Sequence, residues 1–518
     1  MKKNVASLAA LVAVAGLGVS YHAAAQSIEV IYTKIPGHPT AVVPGALDLS
    51  SQPMFTEWRA FEDMTVSPDG SKWVLKSRSQ AGSDLETILI MGSGTSGTMF
   101  AQEGQPVHGG VTGELYDFFG SGLGRFNSNN EFAYSARARG GVASVFQKVI
   151  HWNGSSFSIR LQMGDLITGL ADAPPNPSGD ERFGNSVGSV HILDNGTIGT
   201  QDSTITSIHT SRRPAIMYNN AGFHQANVTS ITAIGGVGTE LWKSISANSF
   251  YTSPNGLHWV AEGTINQATT IDAVLVYNDR VVLQEGSIAG DPGVLISAIN
   301  ASGVTPDGSW YARGIQPDGS DWAIIDGDVV AATGQPITPG STELWGDTFL
   351  AFHVTTGGGW VLVGNTNNAD TGRDTVIVRN GDTVIVREGD QVDLDGDGTL
   401  DDAYLGRGTT TLTAFDANDV AITPDGFVYF IASIHNEAGV DYQSNPSFGT
   451  PHAFFRFNPN PACLADFNNS GGTPDDADVA AFFEAWNNGE ERADVNGSGG
   501  TPDDADVTYF FERWNAGC

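Results

Sequence analysis

The chain has 518 residues and a formal net charge of −33, with 25 Lys and Arg against 58 Asp and Glu. So acidic a chain lacks the basic surface that a nucleic-acid partner needs, which excludes that class. Its 64 Gly and 23 Pro favour many turns and short strands over long helices, and the length allows two or more domains.

Lys2 and Lys3 precede an uncharged, mostly apolar run over residues 5–19, and Ala23-Ala24-Ala25 stands before Gln26. That order predicts a signal peptide over residues 1–25. The apolar run is shorter than the ~20 residues a membrane span needs, and no later segment supplies one. The mature chain is therefore expected to be secreted, extracellular or at the cell surface, with no membrane span. In that oxidising setting the two cysteines, Cys463 and Cys518, are expected to pair as a disulfide that brackets the C-terminal region.

Residues 26–458 repeat one phrase, which decides the fold before any single residue does. A turn precedes an aromatic strand, then come an apolar strand, a tight turn and a second apolar strand. Seven such turns occur: Ser67-Pro68-Asp69-Gly70, Phe126 to Asn130, Leu193-Asp194-Asn195-Gly196, Ser253-Pro254-Asn255-Gly256, Thr305-Pro306-Asp307-Gly308, Thr356 to Gly359, and Thr423-Pro424-Asp425-Gly426. In the second halves, Asn278-Asp279, Asp326-Gly327 and Asn380-Gly381 are two-residue hairpin turns that need positive φ at both positions. About four strands per unit, seven times, predicts an all-β, seven-bladed β-propeller. The last unit ends at Phe457 without its final strand. Residues 28–35 can supply it, closing the ring and removing an exposed sheet edge. Two β-sandwich domains in series are the alternative.

Within the last units, Asp393, Asp395 and Asp397 alternate and lead into Gly398. Alternate oxygen ligands followed by glycine suit a hard cation, so this segment is a candidate Ca²⁺ loop, although it lacks the closing Glu of an EF-hand.

After a linker at residues 459–462, residues 463–518 carry the sharpest repeat. The segment from Asp466 to Asp478 recurs from Asp494 to Asp506 with an offset of 28 residues. Asp466, Asn468, Ser470 and Asp478, and again Asp494, Asn496, Ser498 and Asp506, are the expected ligands of two calcium ions. Asp475, Asp476, Asp503 and Asp504 are secondary candidates. A helix follows each loop, with Val479, Phe482, Phe483 and Trp486 on one face and Val507, Phe510, Phe511 and Trp514 on the other's equivalent. These aromatics are expected to pack between the helices. Loop plus helix, twice, resembles the dockerin family, in particular the GC-type dockerin-like tails of secreted planctomycete-type proteins, which end in Trp-Asn-Ala-Gly-Cys as this chain does. The resemblance implies a small α-helical calcium-loop module with a docking role, toward a cohesin-like or cell-surface protein. Ser470 and Ser498 stand where cellulosomal dockerins carry Asp, and each loop is one residue longer, which implies weaker calcium binding.

No metalloprotease helix, phosphate loop or dinucleotide fingerprint is present. Gly184-Asn185-Ser186-Val187-Gly188 matches a nucleophile elbow, but that motif needs a strand-to-helix turn and its surroundings read as β repeats. No catalytic residue is assigned. The sequence points to a non-catalytic binding or surface-display protein, with an extracellular glycan as one candidate ligand. The alternative is a polysaccharide-active hydrolase or lyase on the propeller scaffold. Carboxylates or histidines converging at a channel mouth would favour the alternative.

Overall fold

The apolar runs fold as antiparallel strands in a computed structural model that describes residues 28–120, 122–142, 145–170, 181–202, 214–395, 400–406, 414–440, 442, 453–459, 465–468, 474–495 and 501–516. The expected signal segment, the Cys463–Cys518 pair, Asp397, Ser470, Asn496 and Ser498 lie outside the described residues. Residues 28–459 form one unit and residues 460–518 belong to another.

Seven sheets of four principal strands each make the larger unit a seven-bladed β-propeller. Each of the seven sequence turns joins an innermost strand to the second strand of its blade, as between Trp58–Val66 and Trp73–Ser79 or between Ala298–Val304 and Trp310–Ile315. The repeating phrase therefore begins one strand inside each blade, not at its edge. Ring closure uses the N-terminal strand Ile28–Thr33, which pairs antiparallel with Ala453–Phe457, Ile28 opposite Phe457 and Thr33 opposite Ala453. A clamp fixes that register: Arg456 Nε donates to Glu29 Oε2 at 2.6 Å and Asn458 Nδ2 to Glu29 Oε1 at 3.1 Å. Ile28, Ile31 and Tyr32 are buried, and Tyr32 packs on Trp58 of the first blade with ring centroids 4.8 Å apart.

The hairpin turns behave as their residues require. Asn278 and Asp279 have φ of 45° and 66°, Asp326 and Gly327 of 50° and 99°, and Asn380 and Gly381 of 52° and 67°. These are the left-handed conformations that match a two-residue turn to strand twist. The proline-aspartate turns do more than reverse the chain. Asn130 Nδ2 of the second blade donates to Asp69 Oδ2 of the first at 2.8 Å. Ser128 N donates to Asp194 Oδ1 at 2.9 Å, and Gly357 N to Asp307 Oδ2 at 2.9 Å. Successive blades are thus latched turn to turn by carboxylates that the sequence pattern presents only as turn formers.

The smaller unit carries helices α1 (Asp476–Asn487) and α2 (Asp504–Ala516). Phe482, Ala485 and Phe510 are fully buried with Ala465 and Ala493. Residues related by the 28-residue offset meet each other: Phe482 stacks on Phe510 with centroids 4.2 Å apart and planes 2° apart. The aromatic stripes are the core of this unit, as their spacing predicts. No described helix is long and apolar enough to cross a membrane.

Candidate functional site

Seven innermost strands surround a central channel, and a cavity of about 550 Å³ opens along it. Every blade contributes: Asp63, Arg125, His191, Tyr251 with Glu262, Ser302, His353 and Asp419 line it from the first blade to the last. Five of the innermost strands run continuously. In the second blade this edge is split into Leu115–Phe119 and Arg125–Phe126, and in the fourth into Glu240–Ile245 and Tyr251–Thr252. Glycine causes the first break. A Cβ on Gly120 would lie 1.9 Å from Ser135 Oγ, and one on Gly124 would lie 1.6 Å from Ala133 O. Only a residue without a side chain allows so close an approach.

The two restarts place Arg125 and Tyr251 against each other. The guanidinium carbon of Arg125 lies 5.2 Å from the centroid of the Tyr251 ring, a cation–π arrangement. Among the described residues Arg125 is the only Lys or Arg lining the cavity. No described carboxylate oxygen lies within 4 Å of it, and it is hydrogen-bonded from Nη1 to its neighbour's carbonyl, Gly124 O, at 3.4 Å and to the Tyr251 side chain.

The acids and bases around it are displaced from their usual ranges. Burial pushes Glu262 up to about 7, against the pull of the Ser302 hydroxyl and of Arg313; Ser302 Oγ donates to Glu262 Oε1 at 2.6 Å across the seam between blades. Burial also raises Asp63, opposed by Arg125 and by the Leu123 N–H, which donates to Oδ2 at 3.2 Å. His191 and His353 are each held down to about 3, by burial first and then by Arg125. Both imidazoles are therefore neutral at physiological pH. His191 Nε2 donates to Phe250 O at 2.9 Å, and His353 Nδ1 accepts from Ile422 N at 3.2 Å. Burial raises Tyr251 and Tyr311 as well. The Ser189 and Thr252 hydroxyls, 3% and 8% exposed, line the same cavity without a hydrogen-bond partner in the protein. Hydroxyl, carboxyl, imidazole and guanidinium groups thus converge on one enclosed space beside an aromatic ring.

None of these channel residues is marked by a motif, because they are gathered from all seven blades. The glycine run Gly120-Ser121-Gly122-Leu123-Gly124 is the signal that points to Arg125, since it interrupts an otherwise regular strand pattern. Gly184 to Ser186 lead into the strand Val187–Ile192, so no strand-to-helix elbow exists there.

The acidic segment of the last blades is brought together differently from its sequence pattern. Carboxylate oxygens of Asp393, Asp395 and Asp401 lie within 4.8 Å of one another. Asp401, which alternation does not single out, is drawn in because its Oδ2 accepts Leu394 N at 2.7 Å. In the tail, Asp478 and Asp506 are each 1% exposed. Asp478 accepts Asn468 N at 3.1 Å and Asp475 N at 2.9 Å, and Asp506 accepts Asp503 N at 2.8 Å. The first of these contacts brings loop residues three and thirteen together. Asp475 and Asp503 accept Ala477 N and Ala505 N, each at 2.8 Å, at the helix starts, so these two secondary candidates are engaged as N-caps. Asp476 and Asp504 are the first residues of α1 and α2, and Asp466 and Asp494 precede them at the loop starts.

No protein-family description matches this sequence, and no curated protein matches it by sequence. Solved structures similar to it include YCF48 bound to D1 peptide, at 13% identity over 79% of this chain and 100% of that one, TM-score 0.33. Prolyl oligopeptidase B from Galerina marginata, bound to a 35mer hydrolysis and macrocyclization substrate, matches at 12% identity over 73% of this chain and 47% of that one, TM-score 0.33. The WD40 β-propeller domain of Doa1 matches at 12% identity over 82% and 99%, TM-score 0.30. The seven sheets themselves, rather than these likenesses, make the chain a propeller.

Proposed function

We propose that this chain is a secreted recognition protein whose propeller admits an extracellular glycan to its central channel, while its tail serves as a calcium-dependent attachment module. The observation that carries the first part is the convergence of Asp63, Arg125, Ser189, Tyr251, Thr252 and Glu262 on one cavity of about 550 Å³. Ligand pockets of this size bind through a few placed polar groups around an apolar or aromatic surface. Sugars present many hydroxyls that both donate and accept, and a mixed set of carboxyl, hydroxyl and guanidinium groups answers them. The tail reading is supported by the 28-residue repeat of oxygen-bearing loops and by the contact of Asn468 with Asp478. A cohesin-like or cell-surface protein is the partner it would engage. The 393–401 triad is a further calcium candidate.

Glu262 favours a second reading, a polysaccharide hydrolase or lyase. A carboxyl raised to about 7 can hold a proton at neutral pH and deliver it, as a general acid requires. One experiment addresses both readings. The full chain is screened for binding to immobilised extracellular polysaccharides, and each bound polysaccharide is then assayed for new reducing ends or unsaturated ends. Binding lost in Tyr251→Ala without any cleavage supports recognition. Cleavage abolished in Glu262→Gln supports the enzyme. No polysaccharide binding refutes both.

A further inference from the structure

We infer that the channel ligand carries a carboxylate held by Arg125, so that the recognised unit is an acidic sugar, a uronate. This rests on the reading of the channel as a glycan site and narrows it to one class.

Along the cavity wall, Glu62 is already paired, with Lys76 Nζ at 3.4 Å and with Arg78. Asp419 is buried and engaged within the protein. Asp63 and Glu262 are displaced by burial toward their uncharged acid forms, and both imidazoles are neutral. The guanidinium of Arg125, the sole cation of the lining among the described residues, has no described carboxylate oxygen within 4 Å, and Asp63 acts on it only at longer range. A cation in an enclosed site is costly without an opposite charge or a full set of hydrogen bonds, and the Tyr251 ring at 5.2 Å supplies only part of that.

Shape points the same way. Arginine presents five N–H donors in a planar fork, and the protein engages them only through Gly124 O at 3.4 Å and the Tyr251 side chain. A carboxylate matches that fork with two parallel hydrogen bonds. A phosphate dianion would call for more positive charge than one arginine can bring to a wall that also holds four acids. Glu262, raised to about 7, can in its acid form donate an O–H to an anionic ligand, which an ionised carboxylate could not. Ser189 and Thr252, buried and without a partner in the protein, are placed to meet the hydroxyls of the same sugar.

The test uses full-length protein and calorimetric titration with defined oligouronates of galacturonate, glucuronate and mannuronate. The same oligosaccharides with their carboxyl groups reduced to hydroxymethyl, and sulfated neutral oligosaccharides, are the comparison arms. At least one oligouronate should bind, and carboxyl reduction should weaken it by about tenfold or more, the loss expected for a charge-assisted hydrogen bond. Arg125→Ala should lose the preference for the acid over the reduced form, while Arg125→Lys should keep part of it. Unchanged melting curves for both variants would show that the fold is intact. Equal affinity for acid and reduced forms would overturn this inference and leave the glycan reading standing. Preference for the sulfated form would also overturn it. Failure of every oligosaccharide to bind would remove the glycan reading together with it.

Discussion

Aspartate plays opposite parts in the two units. In the propeller each turn carboxylate is answered by the protein itself: Asp69 by Ser67, Ser71 and Asn130, Asp194 by Ser128, and Asp307 by Thr305 and Gly357. In the tail, residues 463–518 hold twelve Asp and Glu against two Arg, a net charge of −10, around a core of only five fully buried side chains. The propeller converts acidic residues into latches between blades. The tail concentrates them beyond what its own cations can neutralise, so its charge is expected to be balanced from outside. A large core tolerates many small polar devices, whereas a small one depends on each member.

The first way to break this contrast is at the ring closure. Deleting Ile28–Thr33 exposes the edge of Ala453–Phe457 and removes the buried side chains of Ile28, Ile31 and Tyr32. At about 1.5–3 kcal/mol for each such side chain, the loss is about 5 kcal/mol or more, and scanning calorimetry should show the propeller transition lowered by about 5 °C or more. The tail transition should stay in place. The reciprocal experiment is Phe482→Ala, which empties the stack on Phe510. It should cost the tail about 3–4 kcal/mol and leave the propeller melt unchanged. Calcium separates the units without mutation. If the tail loops bind it, saturation at about a hundred times the dissociation constant stabilises the tail by about 2.7 kcal/mol, and chelation should reverse that. A tail melt indifferent to chelator would remove calcium from the account.

What was legible in the sequence divides along the same line. Repetition made the blade count and the closing strand readable, because Pro-Asp-Gly turns and Asn-Gly or Asp-Gly hairpins impose local φ values that leave few alternatives. Local spacing likewise made the Phe482 and Phe510 stripes readable as a core. The central channel was not readable. Asp63, Arg125, Tyr251 and His353 are far apart in the chain and meet only because the ring closes, and nothing near any one of them announces the others. Asp401 escaped because its place beside Asp393 and Asp395 depends on a backbone hydrogen bond, not on alternation.

Glu262 offers a finer test, confined to the propeller. Its folded value of about 7 stands above an ordinary 4.5, so between these pH values the folded chain retains a proton that the unfolded chain has released. Stability must fall as pH rises through that window. Glu262→Gln removes the titration. Denaturant melts should find variant and wild type alike near pH 4, and the variant more stable by about 3 kcal/mol near pH 8. A constant difference across that range would mean that Glu262 titrates normally.

The smallest expected effect sharpens the contrast most directly, because it sets an aspartate against an asparagine in equivalent turns. Burial disfavours the Asp69 carboxylate, yet hydrogen bonds from Ser67, Asn130 and Ser71 outweigh it and hold the group at about 2, below its usual 3.8. Its stabilisation is therefore present above 3.8 and disappears as pH falls through 2. In the fourth blade Asn255 fills the same place, accepting Ser253 Oγ at 2.7 Å and Leu257 N at 2.9 Å, and has nothing to titrate. Asp69 is exposed, so solvent screens the effect. Asp69→Ala and Asn255→Ala should each cost about 0.5 kcal/mol at pH 7. Lowering the pH to 2 should erase the first penalty and leave the second untouched, provided the propeller is still folded there. Penalties that fade together would show that the turn geometry, rather than the charge, is what these latches contribute.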